Sequence, residues 1–69
     1  MIITINGEKQ TIEADRVTVQ KLLEIKNVKD PDMVSVQLNG NFVKRDMFTE
    51  ISVRENDEID FLYFMGGGK

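Results

Sequence analysis

Gly66, Gly67 and Gly68, followed by Lys69, are the residues of this chain best suited to chemistry, because nothing crowds their carbonyl carbons. They come directly after a dense apolar run, Phe61 to Met65. Glycine has no Cβ, reaches φ values closed to other residues, and loses more conformational freedom than any other type when ordered. A glycine segment behind a strand therefore reads as a slender, mobile tail that orders only in a complex, where it threads a narrow passage and presents a carboxylate to another protein. Four residues at about 3.3 Å each reach roughly 13 Å beyond a sheet, enough to enter a site closed to a folded surface. The plain alternative is an inert linker, since chain ends are often disordered without any functional reason.

The rest of the composition removes most other chemistry. The 69 residues include no Cys and no His. Disulfides and thiolate metal sites are excluded, and with His go the commonest general base and the commonest metal ligand. No nucleophile–base pair is left. The chain is thus expected to be a partner or substrate of enzymes, with no catalytic residue and no cofactor or metal of its own. The formal net charge is -3, and no basic run exceeds Lys44-Arg45, whereas nucleic-acid recognition calls for a basic stripe. The opening MIITINGEK has neither the charged nor the apolar region of a signal peptide. No apolar run approaches membrane-spanning length. The expectation is a soluble cytoplasmic protein, monomeric when free, with no nucleic-acid or membrane partner.

The elements that must position the glycines follow from periodicity. Length allows a single domain, residues 1–65, with 66–69 as its tail. Ile3 and Ile5 alternate with Thr4 and Asn6 in a first strand. Asn6-Gly7 is a two-residue hairpin signal, and the spacing predicts a returning strand over Gln10 to Glu13 with Ile12 inward. Glu13 to Arg16 reads as a polar connection. Thr18 stands as an N-cap before VQKLLEIK, in which Val19, Leu22 and Leu23 share one helical face. Asn27 is the stop, and Val28 to Met33, with the only proline, is a loop. Val34, Val36 and Leu38 alternate as a half-buried strand, Asn39-Gly40 turns it, and Asn41 to Val43 begins the return. In Lys44 to Glu50, Met47 or Phe48 dips inward. Ile51 and Val53 anchor the segment before the turn at Asn56-Asp57, and Glu58 to Met65 is the last strand. One helix across a mixed sheet of four or five strands is an α+β fold. Its last strand would lie centrally and run parallel to the first, the β-grasp arrangement.

Parity divides the last strand. Ile59, Phe61, Tyr63 and Met65 share one face; Asp60, Leu62 and Phe64 share the other. A single helix covers one face only, so Leu62 and Phe64 are predicted to form an exposed docking patch beside Asp60. Glu55, Asp57, Glu58 and Asp60 crowd this end; they read as a solvated turn that could also steer a basic partner.

With these stretches in place, the chain resembles the ThiS-type sulfur carriers of thiamin biosynthesis, a ubiquitin-like β-grasp family. The resemblance spans essentially the whole length. It rests on the Asn6-Gly7 hairpin, T-V-x-x-L-L at Thr18 to Leu23, V-x-L-N-G-x-x-V-x-R from Val36 to Arg45, D-x-I-x-F at Asp57 to Phe61, and the glycines. Lys44 stands where most members carry proline. The resemblance implies that an E1-like adenylating partner, using ATP and Mg, activates the carboxylate of Gly68 while Gly66 and Gly67 thread its channel. Sulfur from a donor such as a cysteine desulfurase then replaces the nucleotide, and the thiocarboxylate passes to thiazole synthase. The chemistry of the residues agrees, because a carboxylate is a poor electrophile until it becomes a mixed anhydride and glycine leaves the acyl carbon open. A molybdopterin-synthase small subunit, a ubiquitin-like protein modifier and a plain β-grasp interaction module are the other readings open at this point.

The family pattern ends on the diglycine, and here Lys69 follows it. While Lys69 is attached, Gly68 has an amide in place of a carboxylate. Lysine also adds a strongly hydrated cation on a flexible stem, whose passage through a narrow channel costs on the order of several kcal/mol unless it is paired. A chain retaining Lys69 is expected to be activated poorly or not at all, and a chain ending at Gly68 readily. Gly68→Ala in the shorter chain should be slow. ATP–pyrophosphate exchange with the cognate activating enzyme measures all three, and full exchange with Lys69 demonstrably attached would refute the diglycine mechanism.

Overall fold

Asn6 and Gly7 hold φ of 51° and 84°, the left-handed pair that a type I′ hairpin turn requires. In the computed structural model, which describes residues 1–28 and 30–63, this turn joins β1 (Ile2–Ile5) to β2 (Glu8–Thr11). Ile5 lies opposite Glu8, so the two-residue loop starts the return strand at once, two positions earlier than the sequence pattern placed it. Ile12 is buried just past its end.

The segment read as a polar connection ends in a strand. β3 (Arg16–Thr18) pairs later with a second short strand, and its only β-branched apolar residue, Val17, gave periodicity nothing to work on. Thr18 then caps α1 (Val19–Ile25), its Oγ1 accepting the Lys21 N–H at 3.0 Å. The next free donors, the N–H groups of Val19 and Gln20, go to the carbonyls of Ile51 and Phe48. At the other end Asn27 takes φ 59°. The Val28 N–H donates to the Leu23 carbonyl at 2.9 Å and the Asn27 N–H to that of Glu24 at 3.0 Å, the paired bonds of a Schellman stop. A helix this short is stable only on a sheet, and it buries Val19, Leu22 and Leu23. Lys21 and Glu24 face solvent 3.9 Å apart, a pair that contributes little.

Within the stretch read as a loop, Pro31–Met33 forms one 3₁₀ turn, a position where a missing N–H is harmless. It leads into β4 (Val34–Leu38), the Asn39-Gly40 turn with φ of 51° and 84°, and β5 (Asn41–Val43). A second 3₁₀ turn, Arg45–Met47, carries Phe48 into the core and leaves Met47 outside. β6 (Ser52–Arg54) pairs antiparallel with β3, Val53 opposite Val17. β7 (Glu58–Tyr63) enters the middle of a five-stranded sheet of order β2-β1-β7-β4-β5. It runs parallel to β1 and antiparallel to β4. This is the expected β-grasp sheet, with the β3–β6 ribbon added to it. No helix among the described residues is long and apolar enough to cross a membrane.

The helix side of the sheet holds the core: Ile3, Ile5, Val34, Val36, Val43, Ile59 and Phe61 against the helix residues, closed by Phe48 and Val53. No buried residue among those described is polar or charged. In β7 Ile59 and Phe61 are buried, while Asp60 is half-buried and Leu62 is 50% exposed. Tyr63 shares the core parity yet is 53% exposed. Its parallel neighbour ends far below it, since β1 stops opposite Ile59. Phe64, Met65 and the whole of the predicted tail lie outside the described residues.

Two outcomes follow from these contacts. Phe61→Ala is expected to cost about 3–5 kcal/mol of stability, and Leu62→Ala no more than about 0.5 kcal/mol. Equal losses in urea melts would mean that the faces are reversed. Asn6→Gly keeps the positive φ but removes the carboxamide oxygen that accepts the partly buried Phe61 N–H at 2.8 Å. It should destabilise by about 1–3 kcal/mol, and a neutral result would show that this bond contributes nothing.

Candidate docking face

The candidate site is built on β7, because it is the last described strand before the glycines in the sequence. Three sets of contacts hold it. Its backbone pairs with β4 from Ile59 to Tyr63 and with β1 at Glu58 and Ile59. Where β1 ends, Asn6 carries the pairing onward: its N–H donates to the Ile59 carbonyl at 3.0 Å and its Oδ1 accepts from Phe61. From the other hairpin, Asn39 donates its N–H to the Glu58 carbonyl at 2.7 Å, and its Oδ1 accepts the Glu58 N–H at 2.9 Å. Both Asn-Gly turns therefore serve twice, as reversals of the chain and as clamps on the terminal strand.

The predicted site residues divide accordingly. Leu62 lies on the sheet face away from the helix and is open, as the parity argument required. Phe64, Gly66, Gly67 and Gly68 lie outside the described residues. The acidic run is partly structural. Glu55 Oε1 accepts the Ile2 N–H at 3.0 Å, and Asp57 accepts from the Arg54 N–H at 2.8 Å and the Asn39 Nδ2 at 3.1 Å. These bonds shape the turn before β7. Glu58 and Asp60 have no such side-chain bond among the described residues.

Sequence reasoning missed Phe42. It is 63% exposed, more open than any other large apolar residue described, and sits in β5 opposite Gln37, which in turn lies opposite Asp60. The signal was present in Asn41-Phe42-Val43: with Val43 buried, alternation turns Phe42 outward. Beside Phe42 a shallow cleft of about 120 Å³ is lined by Val34, Ser35, Val43, Arg45 and Phe48. That is well below the roughly 300–1,000 Å³ of a small-molecule site. Among the described residues no group of three or more His, Cys, Asp or Glu could hold a metal. The arrangement suits protein contact: one open sheet face that carries Phe42 and Leu62 together with Asp60.

Known structures share the fold. The crystal structure of a thiamine biosynthesis protein (ThiS) from Geobacter metallireducens superposes with a TM-score of 0.89 at 39% identity, covering 99% of this chain and 100% of that one. The NMR solution structure of a thiamine biosynthesis protein from the same organism gives 0.84 at 40% identity, covering 100% of this chain and 90% of that one. A thiazole synthase of Paramagnetospirillum magneticum is 32% identical over 68 residues, 99% of this chain. This chain spans only 20% of that protein's length. The model of the ThiS family matches residues 2–68, from the first strand through the third glycine of the tail. The chain belongs to the ThiS family.

Proposed function

We propose that this protein is a sulfur carrier for thiamin biosynthesis, acting as a co-substrate of other enzymes. Family membership supports the pathway, and a thiazole synthase with a similar segment supports the thiazole ring as the destination of the sulfur. The observation that carries the reading is the double clamp on β7. Asn6 and Asn39 fix the strand backbone at Phe61 and Glu58, so the residues beyond it start from a rigid base a few positions before Gly66.

In this mechanism Leu62 and Phe64 dock on an adenylating partner, and Gly66 and Gly67 thread its channel. Hydrolysis of the Gly68–Lys69 peptide bond first releases lysine and frees the Gly68 carboxylate, which attacks the α-phosphorus of ATP, releasing pyrophosphate and forming an acyl-adenylate. A persulfide sulfur, from a donor such as a cysteine desulfurase, then displaces AMP at the acyl carbon. Reductive cleavage of the resulting acyl disulfide by a thiol leaves a thiocarboxylate, the species delivered to thiazole synthase. Glycine is favoured at the reacting position because a Cβ would crowd both the channel and the acyl carbon. ATP, Mg and the reactive cysteine belong to the partners.

Intact mass measurement tests the reading. The chain ending at Gly68, incubated with the activating enzyme, ATP, a persulfide source and a thiol, should gain the mass of one oxygen-to-sulfur exchange. Removal of Gly67 and Gly68 should abolish the gain. An unchanged mass in the first case, with a known carrier converted alongside, would exclude sulfur carriage. It would favour a β-grasp interaction module.

A further inference from the structure

Asn6-Gly7 and Asn39-Gly40 carry a reactivity that their part in the turns leaves unused. An asparagine carboxamide can be attacked by the backbone nitrogen of the next residue, and glycine permits this best because no Cβ shields the nitrogen. Both glycines here are exposed, and apart from their chain neighbours nothing lies within 4 Å of where a Cβ would stand. Neither the Gly7 nor the Gly40 N–H donates a hydrogen bond among the described residues, so each is open to the water that must take its proton. The two carboxamides are held differently. Asn6 Oδ1 accepts the partly buried Phe61 N–H at 2.8 Å, and leaving such a donor unpaired is costly. Asn39 makes two exposed bonds: Oδ1 accepts the Glu58 N–H at 2.9 Å, and Nδ2 donates to Asp57 Oδ1 at 3.1 Å. Water readily replaces both.

We propose that Asn39-Gly40 is a self-modification site, deamidating to aspartate and isoaspartate ahead of Asn6-Gly7, and that the new charge loosens the hold of Asn39 on β7. The Gly40 nitrogen gives its proton to water and bonds to Asn39 Cγ. The Cγ–Nδ2 bond breaks, ammonia leaves, and a cyclic imide closes. Water then opens the ring. Addition at Cγ breaks its bond to the Gly40 nitrogen and yields aspartate. Addition at the backbone carbonyl carbon breaks the original peptide bond and yields isoaspartate. The net change consumes one water and releases one ammonia, with no redox step. Each product acts on β7. Aspartate sets a carboxylate oxygen where Nδ2 donated, against Asp57 Oδ1, and like charges that close repel. Asp57 also accepts the Arg54 N–H, so the repulsion reaches the turn that leads into β7. Isoaspartate adds a methylene to the backbone and lengthens the two-residue loop that sets Leu38 opposite Asn41. At Asn6 the carboxamide nitrogen donates to nothing among the described residues, so an aspartate there keeps the bond to Phe61. The inference stands independently of sulfur carriage.

Ageing the purified chain at mildly alkaline pH, followed by tryptic peptide mapping with mass measurement, tests the order of reaction. The peptide from Asp30 to Lys44 carries Asn39 together with Asn41, and the peptide from Met1 to Lys9 carries Asn6. In the folded chain, Asn39 should gain the mass of an amide-to-acid exchange faster than Asn6 by a factor of about five or more, the ratio that an unpaired buried donor implies. Asn41 should stay unchanged. In urea the two Asn-Gly sites should react at similar rates. Equal rates in the folded chain, or faster reaction at Asn6, overturn the assignment, as does an unreacted Asn39 where the urea-treated chain converts. Melting temperatures test the consequence. Asn39→Asp should melt roughly 4–8 °C lower. Adding Asp57→Asn should recover most of that loss, because an amide at position 57 then donates to the new carboxylate. Asn6→Asp should melt close to the unsubstituted chain. An Asn39→Asp chain of unchanged stability, or one that Asp57→Asn does not rescue, overturns the charge mechanism. An equal loss from Asn6→Asp overturns the contrast between the two turns.

Discussion

The hydrogen bond from the Phe61 N–H to the Asn6 side chain is the contact on which the placement of β7 beyond Ile59 depends. The parallel ladder between β1 and β7 is short, with Thr4 opposite Glu58 and Ile5 opposite Ile59. Without Asn6 the backbone of β7 beyond Ile59 would be held from the β4 side only. A side-chain amide at positive φ supplies what a longer β1 would have supplied. The same residue reverses the chain, so register in the first hairpin and anchorage of the last strand are set together. Asn39 repeats the device at the start of β7. The start and the middle of the central strand are therefore fixed by residues whose backbone geometry leaves little choice of type.

Around this strand the rest of the chain is a cover of minimum size. A helix of seven residues would not form alone. It is held by a threonine cap, an asparagine stop and two carbonyls of the segment before β6, which accept the N–H groups of Val19 and Gln20. That loop also brings in Phe48, and the β3–β6 ribbon brings in Val53, so the core closes without a second helix. One sheet face is thereby fully occupied. The other stays open, with Phe42 and Leu62 exposed on it.

Much of this was legible in the sequence because the signals were local. Each Asn-Gly pair announced its turn, Thr18 its cap and Val19, Leu22 and Leu23 their common face. The parity of β7 separated Phe61 from Leu62 correctly. What local patterns could not show were pairings between distant short segments. Arg16–Thr18 becomes a strand only because Ser52–Arg54 lies beside it. Tyr63 escapes the core only because β1 ends early. Phe42 went unnoticed for a related reason: its row across the sheet, through Gln37 to Asp60, joins three strands, and register between non-adjacent strands is not written in either one. The acidic run was read as one feature, whereas half of it is committed to hydrogen bonds with the backbone and Asn39.

The parallel pairing of first and last strands also bears on how the protein is made. Thr4 finds Glu58 only after nearly the entire chain has been synthesised. Loop closure between distant segments is slow, and its entropic cost precedes the reward of contact. Until β7 arrives, Ile3 and Ile5 on the opening hairpin and Val34 and Val36 on the second one lack their central neighbour and expose apolar edges. Folding is therefore expected to be close to a single late event, completed when β7 enters the sheet. A polypeptide truncated before that strand cannot complete the sheet, and both hairpins would be left without the partner that joins them.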